Sequence, residues 1–114
     1  MHPDRDKGYL WDMLNAARGV AFSLQGLTFA QYAADETLRL ATERRIEIIG
    51  EAARHLSAEL RESHPEIPWR VIVDQRNVLI HAYHEIENER VWALAQQDVP
   101  KLMEQLEALI AVVG

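Results

Sequence analysis

The segment Arg76-Asn77-Val78-Leu79-Ile80-His81-Ala82-Tyr83 gathers more chemistry than any other stretch of this chain. An arginine, a histidine five positions on and a tyrosine two beyond it bring together a phosphate binder, a proton carrier and a modifiable phenol. The arginine and the histidine are of the types that RNA cleavage without a metal can use. A base takes the proton of the 2′-hydroxyl, an acid protonates the leaving 5′-oxygen, and a cation steadies the crowded phosphorane. Histidine moves protons near neutral pH, and arginine matches the developing phosphate charge. Asn77, one turn before His81, can hydrogen-bond the phosphate or orient the ring.

The motif falls within a predicted helix from Pro68 to about Tyr83. At about 100° per residue, Val71, Ile72, Gln75, Val78, Leu79 and Ala82 share a sector, which is expected to be buried. Arg70, Asp74, Asn77, His81 and His84 fall roughly opposite, and Arg76 and Tyr83 lie together on a flank. Five residues turn a helix by about 140°, so Arg76 and His81 are not in line. They converge if the arginine reaches round, if the helix ends near His81, or if a second subunit completes the site. The bland reading of the same residues is a solvated polar face with a surface histidine.

Other constellations are weaker. His81 and His84 with Asp74 could face one way, but they match no known carboxylate–histidine metal pattern, so no metal is expected. Glu47 and Glu51 could be paired carboxylates, yet Arg44, Arg45 and Arg54 favour ion pairing. Trp11, Trp69 and Trp92 sit beside apolar neighbours and are expected in the core or an interface. There is no Gly-rich phosphate loop and no nucleophile–base triad.

The elements that must position the motif are helical throughout. No proline occurs between Pro3 and Pro65, and no alternation typical of a half-buried strand is sustained. A first helix is predicted from about Asp6 to Leu24 on the stripe Leu10, Met13, Leu14, Ala17, Val20, Ala21 and Leu24, with Gly26 at C′. Thr28 or Asp35 is expected to cap the next helix. That second, long helix, from about Asp35 to Leu56, is apolar on more than one side through Leu38, Ala41, Ile48, Ile49, Ala52, Ala53 and Leu56. It is therefore central or at an interface. Gly50 inside it costs about 1 kcal/mol against alanine, which is tolerable where another helix backbone approaches. Ser57 to Glu62 adds a turn or two capped by Ser57, and the segment 63–68 is a rigid connection leading to Pro68 at the next helix start. A fourth helix is predicted near Asn88-Glu89, with Val91, Trp92, Leu94 and Ala95. A last one opens at Asp98-Val99-Pro100 and buries Leu102, Met103, Leu106, Leu109, Ile110 and Val113.

These elements make an all-α, up-and-down bundle of about four to five helices, and the 114 residues fit one domain, 1–114. There is no cysteine, which excludes disulfides and thiolate metal sites. The absence of a secretory leader or a long apolar run sets the expectation of a soluble cytoplasmic protein with no membrane contact. The net charge of −6 argues against nucleic acid. However, residues 39–76 hold seven arginines against seven carboxylates, so the negative excess lies in the two ends. Ten of the twelve basic residues are arginine, which suits bidentate phosphate recognition. A GC-rich genome with helix-surface ion pairs accounts for the same bias.

Taken in order, Ile49-Gly50-Glu51-Ala52-Ala53, Pro65-Glu66-Ile67-Pro68-Trp69, Arg76-Asn77-x-x-x-His81-x-Tyr83, Val91-Trp92 and Asp98-Val99-Pro100 resemble the HepT-like branch of the HEPN superfamily. Tyr9-Leu10-x-Asp12-Met13-Leu14 and Phe29 fit as well, so the resemblance covers nearly the whole chain. It implies a helical bundle that dimerises, with the Arg-x4–6-His motifs of two subunits lining one cleft. It implies a metal-independent ribonuclease, without cofactor, that acts as the toxin of a toxin–antitoxin pair on tRNA or mRNA. On that likeness Arg76 and His81 are the catalytic pair and Asn77 is a supporting residue. Tyr83 accepts AMP from a MntA-type nucleotidyltransferase antitoxin. The acidic run His84-Glu85-Ile86-Glu87-Asn88-Glu89 weakens RNA binding near the motif or forms a partner contact. Two other readings stand beside this one: a non-catalytic nucleotide- or RNA-binding module that is partner or substrate of a nucleotidyltransferase, and a purely structural helical dimer.

Overall fold

Local capping chemistry decides where the helices begin and end. The computed structural model describes the backbone of residues 3–80 and 85–113, and the side chains of these except 3–4, 76–80 and 85–87. Helix α1 (Pro3–Leu24) stops at Gly26, whose φ of 76° is a left-handed conformation that glycine adopts without a Cβ penalty. The Leu27 N–H then returns to the Leu24 carbonyl at 3.1 Å. Both candidate caps are used. Thr28 caps a short helix α2 (Phe29–Ala34) through a reciprocal box with Gln31, and Asp35 caps α3 (Glu36–Arg54) by accepting from Leu38 N. Ser57 caps α4 (Ala58–Ser63) as expected.

Helix α2 is not among the elements that periodicity predicts. Its six residues are too few for a visible apolar period, and only the box Thr28-x-x-Gln31 marks it. The long helix ends at Arg54, and Leu56 is buried in the turn beyond it.

Helix α5 (Trp69–Ile80) starts one residue later than predicted. Pro68 stands before its first turn and gives its carbonyl to Ile72 N–H at 3.0 Å. Helix α6 (Glu85–Ala93) begins earlier than expected and runs without a break through a π-helical turn (Leu94–Asp98) into α7 (Val99–Val113). The predicted helix start at Asp98-Pro100 is therefore corrected. Ala93 and Val99 both keep right-handed helical angles, and among the described residues Asp98 makes no capping hydrogen bond. In an α-helix the Pro100 ring would strike the carbonyl of Gln96. The π turn, closed by Val99 N–H to Leu94 O, widens the spiral just before it.

The result is an all-helical, up-and-down bundle. Helix α3 lies in its middle, packed on α1 along one side and α5 along the other, while α7 covers the far side of α1. The α1 stripe of Leu10, Met13, Leu14, Ala17, Val20 and Leu24 is buried, as are Ile46, Ile49, Ala52 and Ala53 of α3 and Leu102, Leu106, Leu109 and Ile110 of α7. Met103 and Val113 only edge the core.

Two contacts fix the frame. A Cβ at Gly50 would stand 3.1 Å from the Ile72 carbonyl oxygen, so α3 and α5 touch through backbone there. The buried Asp6 carboxylate, at the start of α1, accepts from Ser57 N at 2.9 Å and Ser57 Oγ at 2.7 Å. It ties α1 to the α3–α4 turn with charge-assisted bonds.

Gly50→Leu is expected to push α5 off α3 and to lower the unfolding free energy by about 1–3 kcal/mol, as overpacking does. Urea unfolding measures this. An unchanged midpoint would mean that α5 shifts at no cost.

Candidate functional site

The motif sits at the junction of α5 and α6. The backbones of Arg76 and Asn77 belong to the last turns of α5, which ends at Ile80, and α6 opens at Glu85. Their side chains, and His81, Tyr83 and His84 altogether, lie outside the described residues. The structure therefore places the start of the motif on a rigid helix and brings no pair of the predicted site residues into measured contact.

The base of that helix is firmly held. Trp69, buried there, donates Nε1–H to the His64 carbonyl at 3.0 Å, and Ile67 and Ile72 are buried beside it. Together with the Gly50 contact, this sets the height and rotation of α5 on α3. Of the predicted buried sector, Val78, Leu79 and Ala82 lie outside the described side chains, Ile72 is buried and Gln75 half-buried, and the departure is at Val71. The spacing puts Val71 in the buried sector, but it is 56% exposed, whereas Trp69, Ile72 and half-buried Val73 face inward. Two helices cannot cover the whole of a short third one, so the side chains nearest α3 are buried and Val71, one step round, is not. Arg70 and Asp74 are exposed as predicted.

The downstream arm is held by rings. Trp92 of α6 lies against Tyr32 at 5.3 Å between centroids and edge-on to Phe29 at 6.1 Å, so α2 grips the helix that comes after the motif. Tyr32 is fully buried, and its hydroxyl has no hydrogen-bond partner among the described residues. Its pKa is pushed up to about 12 by burial first and by the neighbouring Glu43, while Arg39 opposes the rise. Glu43 is itself raised by burial, with Arg39 opposing. This group escapes sequence reading; the capping box that betrays α2 is its only signal.

Open grooves lie along α5 among the described residues, and two are sizeable. One, of about 570 Å³, runs between α4 and α5 and carries Arg54, Arg61, Arg70, Glu62 and Asp74 over a floor of Ala58, Trp69 and Val73. The other, of about 400 Å³, lies between α5 and the π turn and is lined by Val71, Gln75, Arg90, Leu94 and Asp98 among others.

Elsewhere the charges pair as the spacing suggests. Arg44 meets Glu47 at 2.6 Å and Arg54 meets Glu51 at 2.9 Å. Trp69 is buried and Trp92 half-buried, but Trp11 is an exposed rim residue with the Arg18 guanidinium 5.9 Å from its ring. Among the described residues no cluster of three or more His, Asp or Glu is placed to hold a metal ion, and no helix is long and apolar enough to cross a membrane.

Comparison with known proteins adds to this geometry. The profile of a family described as Ribonuclease HepT-like matches residues 13–109. The chain is 35% identical over 101 residues to "Putative RNase MJ1380" of Methanocaldococcus jannaschii, covering 89% of this chain and 93% of that protein. It is 33% identical over 103 residues to "Probable ribonuclease HepT" of Thermococcus cleftensis, covering 90% and 94%. No solved structure matches it significantly.

Tyr32 holds its proton more tightly in the folded chain, so unfolding releases one above pH 10.0, the ordinary value for tyrosine. The stability tied to this group is complete below pH 10.0 and is lost as pH rises towards about 12. Between those limits wild type is expected to lose about 1–3 kcal/mol more than Tyr32→Phe. Urea unfolding of both proteins at pH 8 and at pH 11.5 measures the difference. Equal losses would mean that Tyr32 ionises freely in the fold.

Proposed function

The chain belongs to the Ribonuclease HepT-like family, and from that premise we propose that it is a metal-independent endoribonuclease, the toxin of a toxin–antitoxin pair. One observation carries the reading: the family match spans residues 13–109 and encloses an intact Arg76-x4-His81-x-Tyr83.

In this reading two copies of the chain face each other across one cleft, each bringing Arg76 and His81. One imidazole takes the proton of the RNA 2′-hydroxyl as that oxygen attacks the adjacent phosphorus. The other imidazole, protonated, gives its proton to the departing 5′-oxygen. The products are a 2′,3′-cyclic phosphate and a free 5′-hydroxyl. The Arg76 guanidinium balances the charge that grows on the phosphoryl oxygens, and Asn77 supports the phosphate. Two imidazoles needed in opposite protonation states give a bell-shaped pH–rate profile. In such a dimer, Arg76 of one copy and His81 of the other can serve one phosphate without lying in line on a single helix.

Tyr83 is the point of control. A MntA-type nucleotidyltransferase joins its phenolic oxygen to the α-phosphorus of ATP, and pyrophosphate leaves. The added AMP brings bulk and negative charge to the mouth of a phosphate-binding cleft, and both exclude RNA.

Purified protein in EDTA is expected to cleave a tRNA pool, and His81→Ala is expected to lose at least ~100-fold in rate, the usual worth of a general acid–base group. Equal cleavage by both would place the activity elsewhere or in a contaminant. No cleavage by folded, AMP-free dimer would favour a non-catalytic nucleotide- or RNA-binding module. Incubation with a cognate nucleotidyltransferase and labelled ATP is expected to label wild type and leave Tyr83→Phe unlabelled; equal labelling would remove Tyr83 from the scheme.

A further inference from the structure

The groove between α4 and α5 holds an unusual set of arginines. Arg54 is committed to Glu51 at 2.9 Å. Arg61 and Arg70, which wall the same groove, make no ion pair or hydrogen bond through their guanidinium groups among the described residues. The groove also contains Glu62 and Asp74, yet neither closes on either arginine. Arg18, Arg44 and Arg54 find carboxylates, whereas Arg61 and Arg70 line one groove with no carboxylate on either guanidinium among the described residues. Moreover, the Nε–H of Arg61 is buried without an acceptor among the described residues. A donor left in that state has free energy to gain by moving onto an anion.

Position supplies the second argument. Arg70 and Asn77 are seven residues apart on one helix, which returns nearly to the same stripe and rises about 10 Å. The groove therefore ends one turn short of the motif, on the motif's own helical stripe. A stacked strand advances about 3.4 Å per phosphate, so about three phosphate steps separate Arg70 from Asn77. The floor of Ala58, Trp69 and Val73 is apolar and is held by the Trp69 Nε1 bond to His64, so an occupant meets a fixed floor between walls that carry Arg54, Arg61 and Arg70 beside Glu62 and Asp74.

We propose that this groove is a phosphate track for single-stranded RNA, with Arg61 and Arg70 gripping backbone phosphates about three steps from the one that reacts. The inference rests on the ribonuclease reading for its occupant. It makes the substrate an extended single strand rather than a mono- or dinucleotide, and it gives an acidic chain a local way to hold a polyanion. Backbone contacts of this kind carry affinity and salt dependence, not sequence preference.

The test measures fluorescence anisotropy of a 5′-fluorescein 15-mer oligoadenylate RNA, in a His81→Ala background so that binding is read without cleavage. Arg61→Glu/Arg70→Glu is expected to weaken binding roughly ten-fold or more and to flatten its salt dependence. Arg61→Lys/Arg70→Lys is expected to keep most of the affinity. Arg18→Glu/Arg44→Glu, with the same change of net charge elsewhere on the surface, is expected to lose far less. Arg70→Glu alone, at an exposed position, should fall between wild type and the double variant and stands in if the double variant fails to fold. Unchanged affinity in the groove variants, or equal loss in the Arg18/Arg44 control, would overturn the track. Cleavage by the otherwise wild-type protein is scored separately. If it cuts no RNA the ribonuclease reading fails, while the binding comparison still decides the groove.

Discussion

Everything about α5 depends on one close approach. Gly50 and the Ile72 carbonyl bring the backbones of α3 and α5 into contact, and no side chain can be inserted there without moving one helix. Glycine in mid-helix sacrifices about 1 kcal/mol of helix propensity. The return is a fixed rotation of the helix on which Arg76 and Asn77 stand. Trp69 and the buried Ile67 and Ile72 lock the same helix from its base, so the start of the motif inherits the rigidity of the core. Positions on helices are held more precisely than positions on loops, and the backbones of Arg76 and Asn77 are held in this way.

The two ends of the bundle are organised by different forces. At its base a buried carboxylate does the fastening: Asp6 reaches across from α1 and satisfies both donors of Ser57, which in turn caps α4. At the other end aromatic rings do it, with Trp92 lying on Tyr32 and Phe29. The same packing buries the Tyr32 hydroxyl, which has no hydrogen-bond partner among the described residues. Since α4 borders the arginine groove and α2 grips α6, each fastening supports one flank of the α5–α6 junction.

Charge shows the same division. The acidic excess lies in the outer parts of the sequence, whereas the middle, from Arg39 to Arg76, is balanced and rich in arginine. Several of those arginines are absorbed locally: Arg44 and Arg54 by carboxylates three positions away, Arg45 by Ser23 across the Gly19 face of α1. Arg61 and Arg70 remain beside α5. Local charge there is set by neighbours within a Debye length of about 8–10 Å, and those include Glu62 and Asp74 as well as the arginines.

Much of this was legible in the sequence because it is local. Apolar steps of three and four mark the long helices, and Gly26, Thr28, Asp35 and Ser57 mark their ends, since caps are satisfied within a turn of the residue that makes them. The motif itself is visible as residue types at a spacing, although His81 and Tyr83 lie beyond what the structure describes. Tertiary packing decided the rest. Periodicity names a face of a helix but not the neighbour that covers it, so it could not tell that Val71 would be exposed. Nor could it tell that a π turn would carry the chain unbroken into Pro100, or that six residues after Thr28 would clamp α6. The meeting of Arg61 and Arg70 across a groove belongs to the same class. They are nine positions apart on different helices, and only the tertiary structure places both on the walls of one groove, together with Glu62 and Asp74.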